Sequence, residues 1–142
     1  MKKVLVFGSD NACRSIMIAA LIKHLSFNRI EVVSAGIQPK KIDPNVKKVL
    51  LEIGIDISKE KTHSFSEFLH TKFDVIISTT PEAMEKANNL LLATTKIYKE
   101  LPDPREVEGS KIDKENAFRE LRDEINEWLN EFIPRHRLIS EK

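Results

Sequence analysis

The sequence predicts an α/β fold, a three-layer sandwich in which helices cover both faces of a four-stranded parallel sheet. Two observations predict it. Short runs rich in β-branched and aromatic residues read as strands at Val4 to Phe7, Arg29 to Ser34, Phe73 to Ser78 and Lys96 to Lys99, and "VLVF" and "FDVIIS" are apolar enough for burial on both faces. The segments between them carry helical spacing, and strands that alternate with helices form parallel sheets covered on both sides. A chain of 142 residues is long enough for one core, so a single domain spanning 1–142 is expected.

The elements follow in order. Val4 to Phe7 runs into the loop Gly8 to Cys13, and Ser15 to Leu25, rich in Ile, Ala, Leu and Met, favours helix. Arg29 to Ser34 completes a β-α-β unit, closed by "SAG". In "DPNVKKVLLEIG", Asp43 is placed to cap a helix, Pro44 to occupy its first position and Gly54 to end it. Val46, Val49, Leu50 and Ile53 there are spaced to face inward. A turn and short helix are expected within "KEKTHSFSEFLHTKF", over the flank of the loop. After the Phe73–Ser78 strand, Pro81 to Leu90 should be a helix, and Lys96 to Lys99 a short fourth strand. Phe118, Leu121, Ile125, Trp128 and Phe132 recur at steps of three and four, marking a long amphipathic helix that Pro134 ends. Its charged face suggests i,i+4 pairs such as Arg119 with Asp123.

Composition narrows the function. Basic residues number 23 and acidic residues 22, mixed along the chain, so no field favours nucleic acid or an anionic membrane. No apolar run approaches the length of a membrane span and the N-terminus turns polar early, so a cytoplasmic location is expected. The one cysteine, Cys13, excludes an internal disulfide and a cysteine-based zinc site. The four histidines lack metal-ligand spacing, and no metal or cofactor is expected.

The loop after the first strand is the candidate site. A helix starting near Arg14 has unpaired N–H groups and the positive end of its dipole, and a curled loop turns further N–H groups toward one centre. Arg14 adds a planar fork of donors suited to a tetrahedral oxyanion. Residues 8–14, that is Gly8, Ser9, Asp10, Asn11, Ala12, Cys13 and Arg14, form a candidate cradle for phosphate, sulfate or arsenate. The loop has neither the GxxxxGK[ST] nor the GxGxxG pattern of nucleotide sites.

"VLVFGSDNACRSIMIAAL" resembles the opening of the low-molecular-weight protein tyrosine phosphatases and the arsenate reductases of the same fold. "VVSAGI", "DPNVKKVLLEIGIDIS", "FDVIIS", "LPDP" and "FRELRDEI" are similar to family segments in family order, and the last leans toward the arsenate-reductase branch. The resemblance implies the phosphotyrosine protein phosphatase I-like fold. It implies Arg14 as the anion clamp, Ser15 as the hydroxyl supporting a thiolate, and Asp103 as the acid for the leaving oxygen. It also places the nucleophilic cysteine at position 8, where this chain has Gly8.

Glycine offers no nucleophile. Cys13 adjoins Arg14 directly, without the five intervening residues, and reads as a half-buried packing residue, although a helix start can lower a thiol pKa. Ser9 is displaced by one residue and has no evident base. Asp10 is expected to point outward and cap nearby N–H groups, with tolerance for the left-handed backbone, while Asn11 braces the loop. Asp103 is either a vestigial acid over the pocket mouth or a turn residue before proline, and Tyr98 an aromatic wall or packing residue.

Three readings follow. One is a nucleophile-lacking domain that binds an oxyanion or a phosphorylated protein. Another is an active enzyme, through an unusual residue or because glycine has replaced a natural cysteine. The third is a structural or protein-interaction domain whose pocket is closed by an Arg14–Asp10 pair. The sequence leaves the oligomeric state open.

Overall fold

A computed structural model describes residues 1–139. Four strands, β1 (Lys2–Gly8), β2 (Ile30–Gly36), β3 (Lys72–Ser78) and β4 (Leu92–Tyr98), form one parallel sheet in the order β2-β1-β3-β4. Four helices accompany them: α1 (Arg14–Leu25), α2 (Pro44–Leu51), α3 (Pro81–Leu90) and α4 (Lys111–Arg135). The predicted three layers are present. On one face, Val4, Val6, Val75 and Ile77 pack with apolar residues of α1, α2 and α4, among them Met17, Val49, Phe118, Leu121 and Ile125. On the other, Leu5, Phe7 and Ile76 meet Ala83 and Ala87 of α3. Alternation along each strand sends neighbouring side chains into opposite layers, which is why central strands are apolar throughout.

Several boundaries differ from expectation. β4 begins at Leu92, well before Lys96. It is an edge strand of largely half-exposed residues, so its composition carries little apolar signal. α2 stops at Leu51, and Ile53 is 39 % exposed on the following turn rather than on the packed face. Asp43 does cap α2, accepting from the Asn45 N–H at 2.8 Å, and Gly54 adopts φ 83° as the chain leaves it. Pro134 lies inside the last turn of α4 rather than terminating it.

The long helix docks through a cluster the sequence did not predict. Arg119 reaches across to Glu52 rather than to Asp123, with Nη2 to Oε2 at 2.7 Å, and Asp123 pairs with Arg122 instead. Buried Arg122 donates to the Val49 carbonyl and to Glu52 at 2.8 and 3.0 Å. These contacts tie α4 to the end of α2, where the helix leaves carbonyls without helical partners. Among the described residues, no helix is long and apolar enough to cross a membrane.

β1 sits between β2 and β3, so the chain leaves its two neighbours on opposite sides of the loop that follows it. Such a point opens a crevice beyond the carboxyl ends of the strands. The short helical turn Phe65–Phe68 lies beside this end, with Phe65 5.7 Å from the Phe7 ring and the Gly36 N–H bonded to the His63 carbonyl at 2.8 Å.

Candidate anion site

Residues 8–13 curl from the end of β1 into the start of α1. Their carbonyls are tied to the segment after β2: Gly8, Ser9, Asp10 and Ala12 accept from the N–H groups of Ile37, Gln38, Lys40 and Asp43 at 2.9–3.2 Å. Four such bonds fix the peptide planes of the loop. No acceptor among the described residues takes the N–H groups of Ser9, Asp10, Asn11, Cys13 or Arg14. The Ala12 N–H is different, because Asp10 Oδ1 accepts it at 3.0 Å. Ala12 therefore contributes to the expected cradle only as part of the loop framework.

Asn11, rather than Asp10, takes the left-handed conformation, with φ 54°. Asparagine tolerates that region better than most residues. Its side chain braces the loop as expected: Oδ1 accepts from Ser15 Oγ at 2.7 Å, while the buried Nδ2 has no partner among the described residues. Gly36 makes this curl possible. A Cβ there would lie 2.9 Å from the Asn11 nitrogen and the Asp10 carbonyl carbon, both backbone atoms that cannot swing aside.

Gly8 closes β1 at the base of the loop. A Cβ on it would come within 2.9 Å of Thr79 Oγ1 and 3.2 Å of Ser15 Oγ. Thr79 itself is buried and directs Oγ1 toward the Phe7 carbonyl at 3.4 Å. The niche around Gly8 is thus lined by hydroxyls, and Ser9 Oγ extends it by bonding Thr80 Oγ1 at 2.9 Å. Neither Thr79 nor Thr80 was legible as a site residue, since both sit in an ordinary strand-to-helix turn.

Cys13 is fully buried in the core rather than half-buried. Burial pushes its thiol up to about 12, the opposite of the lowering that a helix start permits, with only partial compensation from Arg105 and Arg14. It is neither exposed nor ionised at neutral pH.

Arg14 reaches the loop 101–106. Its Nη1 donates to the Leu101 carbonyl at 3.2 Å, and its Nη2 lies 3.7 Å from Asp103 Oδ2. The Arg14–Asp10 pair that would shut the pocket is not formed. Asp10 instead meets Arg105, whose Nη1 donates to Oδ2 at 2.7 Å. Asp10 thus faces its own loop and the 101–106 segment rather than solvent alone.

Arg105, which the sequence reading passed over, is the hub. Besides Asp10, it grips Asp103 through Nε to Oδ1 at 2.9 Å and Nη2 to Oδ2 at 2.8 Å, and its backbone N–H bonds Oδ1 at 3.0 Å. Burial raises the Asp103 pKa, but the hydrogen bonds from Arg105 and the charges of Arg105 and Arg14 outweigh it and hold the carboxyl below its usual range. The signal available in the sequence was the spacing of Asp103 and Arg105 across Pro104, which closes a two-residue turn.

Tyr98 is 41 % exposed and lies along α3, beside Met84 and Asn88, so it does not wall the loop. The histidines at 24, 63, 70 and 136 are exposed or half-buried. A pocket of about 290 Å³ between α1, β2 and residues 54–63 shares no residue with the loop.

A strand, a curled loop whose N–H groups lack acceptors among the described residues, an arginine at the helix start and an aspartate before proline thus lie together at one end of an α/β fold. The model of the low molecular weight phosphotyrosine protein phosphatases matches residues 3–142, and the chain belongs to that family. The arsenate reductase of Halalkalibacterium halodurans is 31% identical over 132 residues, 92% of this chain and 95% of its own length. The arsenate reductase of Bacillus subtilis is 29% identical over 124 residues, 87% and 89% of the two chains. A solved arsenate reductase in the phosphate-binding state superposes with a TM-score of 0.78 at 26% identity, covering 99% of this chain and all of that one. Vibrio vulnificus Wzb in complex with benzylphosphonate shares the fold, with a TM-score of 0.73 at 21% identity over 94% of this chain and 98% of its own.

Proposed function

We propose that this chain is a family member that binds an oxyanion or a phosphorylated ligand at residues 8–15 and lacks the thiol nucleophile, acting as one domain in the cytoplasm. Gly8 carries the reading. It ends β1 at the base of the loop, where the family resemblance calls for cysteine, and it has no side chain to attack phosphorus or arsenic. Cys13 does not replace it, being buried and protonated. A chain with one cysteine also brings no thiol pair to resolve an arsenic adduct.

Support for anion binding comes from the five loop N–H groups without an acceptor among the described residues and from Arg14 at the helix start. Phosphate and benzylphosphonate, held by two structural neighbours, are ligands of the same class. A phosphorylated protein is the larger ligand this reading admits. Asp103, gripped by Arg105, serves as a fixed carboxylate rather than as an acid.

The test has two arms. Phosphate should shift the amide resonances of residues 8–15, and Arg14→Ala should weaken that binding by roughly ten- to hundredfold, the worth of a charge-assisted hydrogen bond. Turnover of an aryl phosphate should stay at background for the unaltered chain. It should appear in Gly8→Cys and rise further when Thr79→Ala clears the hydroxyl that crowds the new Cβ. Turnover by the unaltered chain, abolished by Arg14→Ala, would show that another nucleophile works here.

A further inference from the structure

We propose that the site selects oxyanions that carry a proton, such as hydrogenphosphate or hydrogenarsenate, over fully ionised ones of the same shape such as sulfate, and that Asp103 makes the distinction. This inference rests on the anion-binding reading and specifies the ligand class within it.

The argument begins with the bonding of Asp103. Oδ1 already accepts two hydrogen bonds, from the Arg105 backbone N–H at 3.0 Å and from Arg105 Nε at 2.9 Å. Oδ2 accepts one, from Arg105 Nη2 at 2.8 Å, and so keeps an unfilled acceptor position. Arg14 Nη2 stands 3.7 Å away, too far to fill it. Arg14 Nη1 is held by the Leu101 carbonyl, while Nη2 has no acceptor at hydrogen-bond distance among the described residues and stands beside Asp103.

A ligand oxygen bonded to Arg14 Nη2 at about 2.8 Å can lie at hydrogen-bond distance from Oδ2 as well, because the two atoms are only 3.7 Å apart. The outcome then depends on that oxygen. If it bears hydrogen, it donates to Oδ2 and gains a charge-assisted bond. If it is bare, two negatively charged oxygens face each other in a half-buried site, and each repels the other.

Asp103 does not escape by protonating itself. The Arg105 and Arg14 charges hold it ionised, and Arg105 cannot turn away without also releasing Asp10 on the loop. The groups facing the carboxylate are thus two arginines, with Asp10 sharing one of them. At neutral pH hydrogenphosphate and hydrogenarsenate retain a proton, whereas sulfate and selenate have none. Size and tetrahedral shape barely differ within each pair, so the proton is the discriminating feature.

The experiment is a titration of the intact chain with phosphate and with sulfate at pH 7 and matched ionic strength, read from the amide resonances of residues 8–15. Phosphate should bind roughly ten- to hundredfold more tightly, reflecting one charge-assisted bond gained against one repulsion. Asp103→Asn keeps a side chain able to cap the 104–106 turn but supplies an N–H donor, so it should tighten sulfate, weaken phosphate and bring the ratio to one or below. Arsenate against selenate repeats the comparison without any substitution, which decides the matter even if the variant fails to fold. Equal binding of phosphate and sulfate by the unaltered chain, or an unchanged ratio in folded Asp103→Asn, would overturn the selection while leaving the anion site standing. Binding of none of the four anions would overturn both.

Discussion

Arg105 shows how one side chain reorganises the chemistry available to its neighbours. By bonding both oxygens of Asp103 and one of Asp10, it holds in place the aspartate that the family resemblance implies as an acid. The folded pKa of Asp103 lies below its unfolded value of 3.8. Its stabilising contribution is therefore complete above that value and is lost as pH falls through the folded pKa. Glu52 behaves alike: hydrogen bonds from Arg119, aided by Arg122, lower it to about 2. We expect the Asp103 carboxyl carbon, followed by NMR, to titrate below pH 3.8, and Arg105→Met to return its midpoint toward that value. An unchanged midpoint in the variant would mean that Arg105 does not hold Asp103 ionised.

At the scale of elements, the loop 8–13 depends on a strand distant in sequence. Its carbonyls bond residues 37–43, and its backbone passes so close to Gly36 that any side chain there collides with it. Gly36→Ala should lower stability by about 1–3 kcal/mol, the usual cost of overpacking, and should weaken phosphate binding at residues 8–15 because the loop must shift. Urea unfolding and the amide titration check the two effects separately. A variant of normal stability and affinity would show that the loop is not built against Gly36. Periodicity predicted α2 and its cap at Asp43 correctly, yet it placed Ile53 inward. The helix stops at Leu51, and beyond that point helical spacing no longer describes where side chains face. β4 was underestimated for a related reason, since an edge strand with half-exposed residues has weak apolar contrast.

The whole molecule determines the state of Cys13. It lies in the core shared by α1, α2, α4 and the sheet, and burial keeps it protonated. A thiol reagent should modify the native protein slowly, at a rate that follows opening of the core, and rapidly once denaturant unfolds it. Fast modification without unfolding would contradict this burial and would reopen the question of a working thiol.

Much was already written in the order of residues along the chain. Apolar runs alternating with helical spacing dictated a parallel sheet between helices, and the junction from Val4 to Leu21 marked the candidate loop, because these depend on local pattern and backbone chemistry. That position 8 holds glycine is equally a matter of residue identity. Partners were another matter. That Asp10 meets Arg105 rather than Arg14, that Arg119 leaves Asp123 for Glu52, and that Thr79 fills the space beside Gly8 involve residues separated by about 70 to 95 positions or by competing neighbours. Linear spacing ranks only nearby partners, and packing brings stronger distant ones within reach.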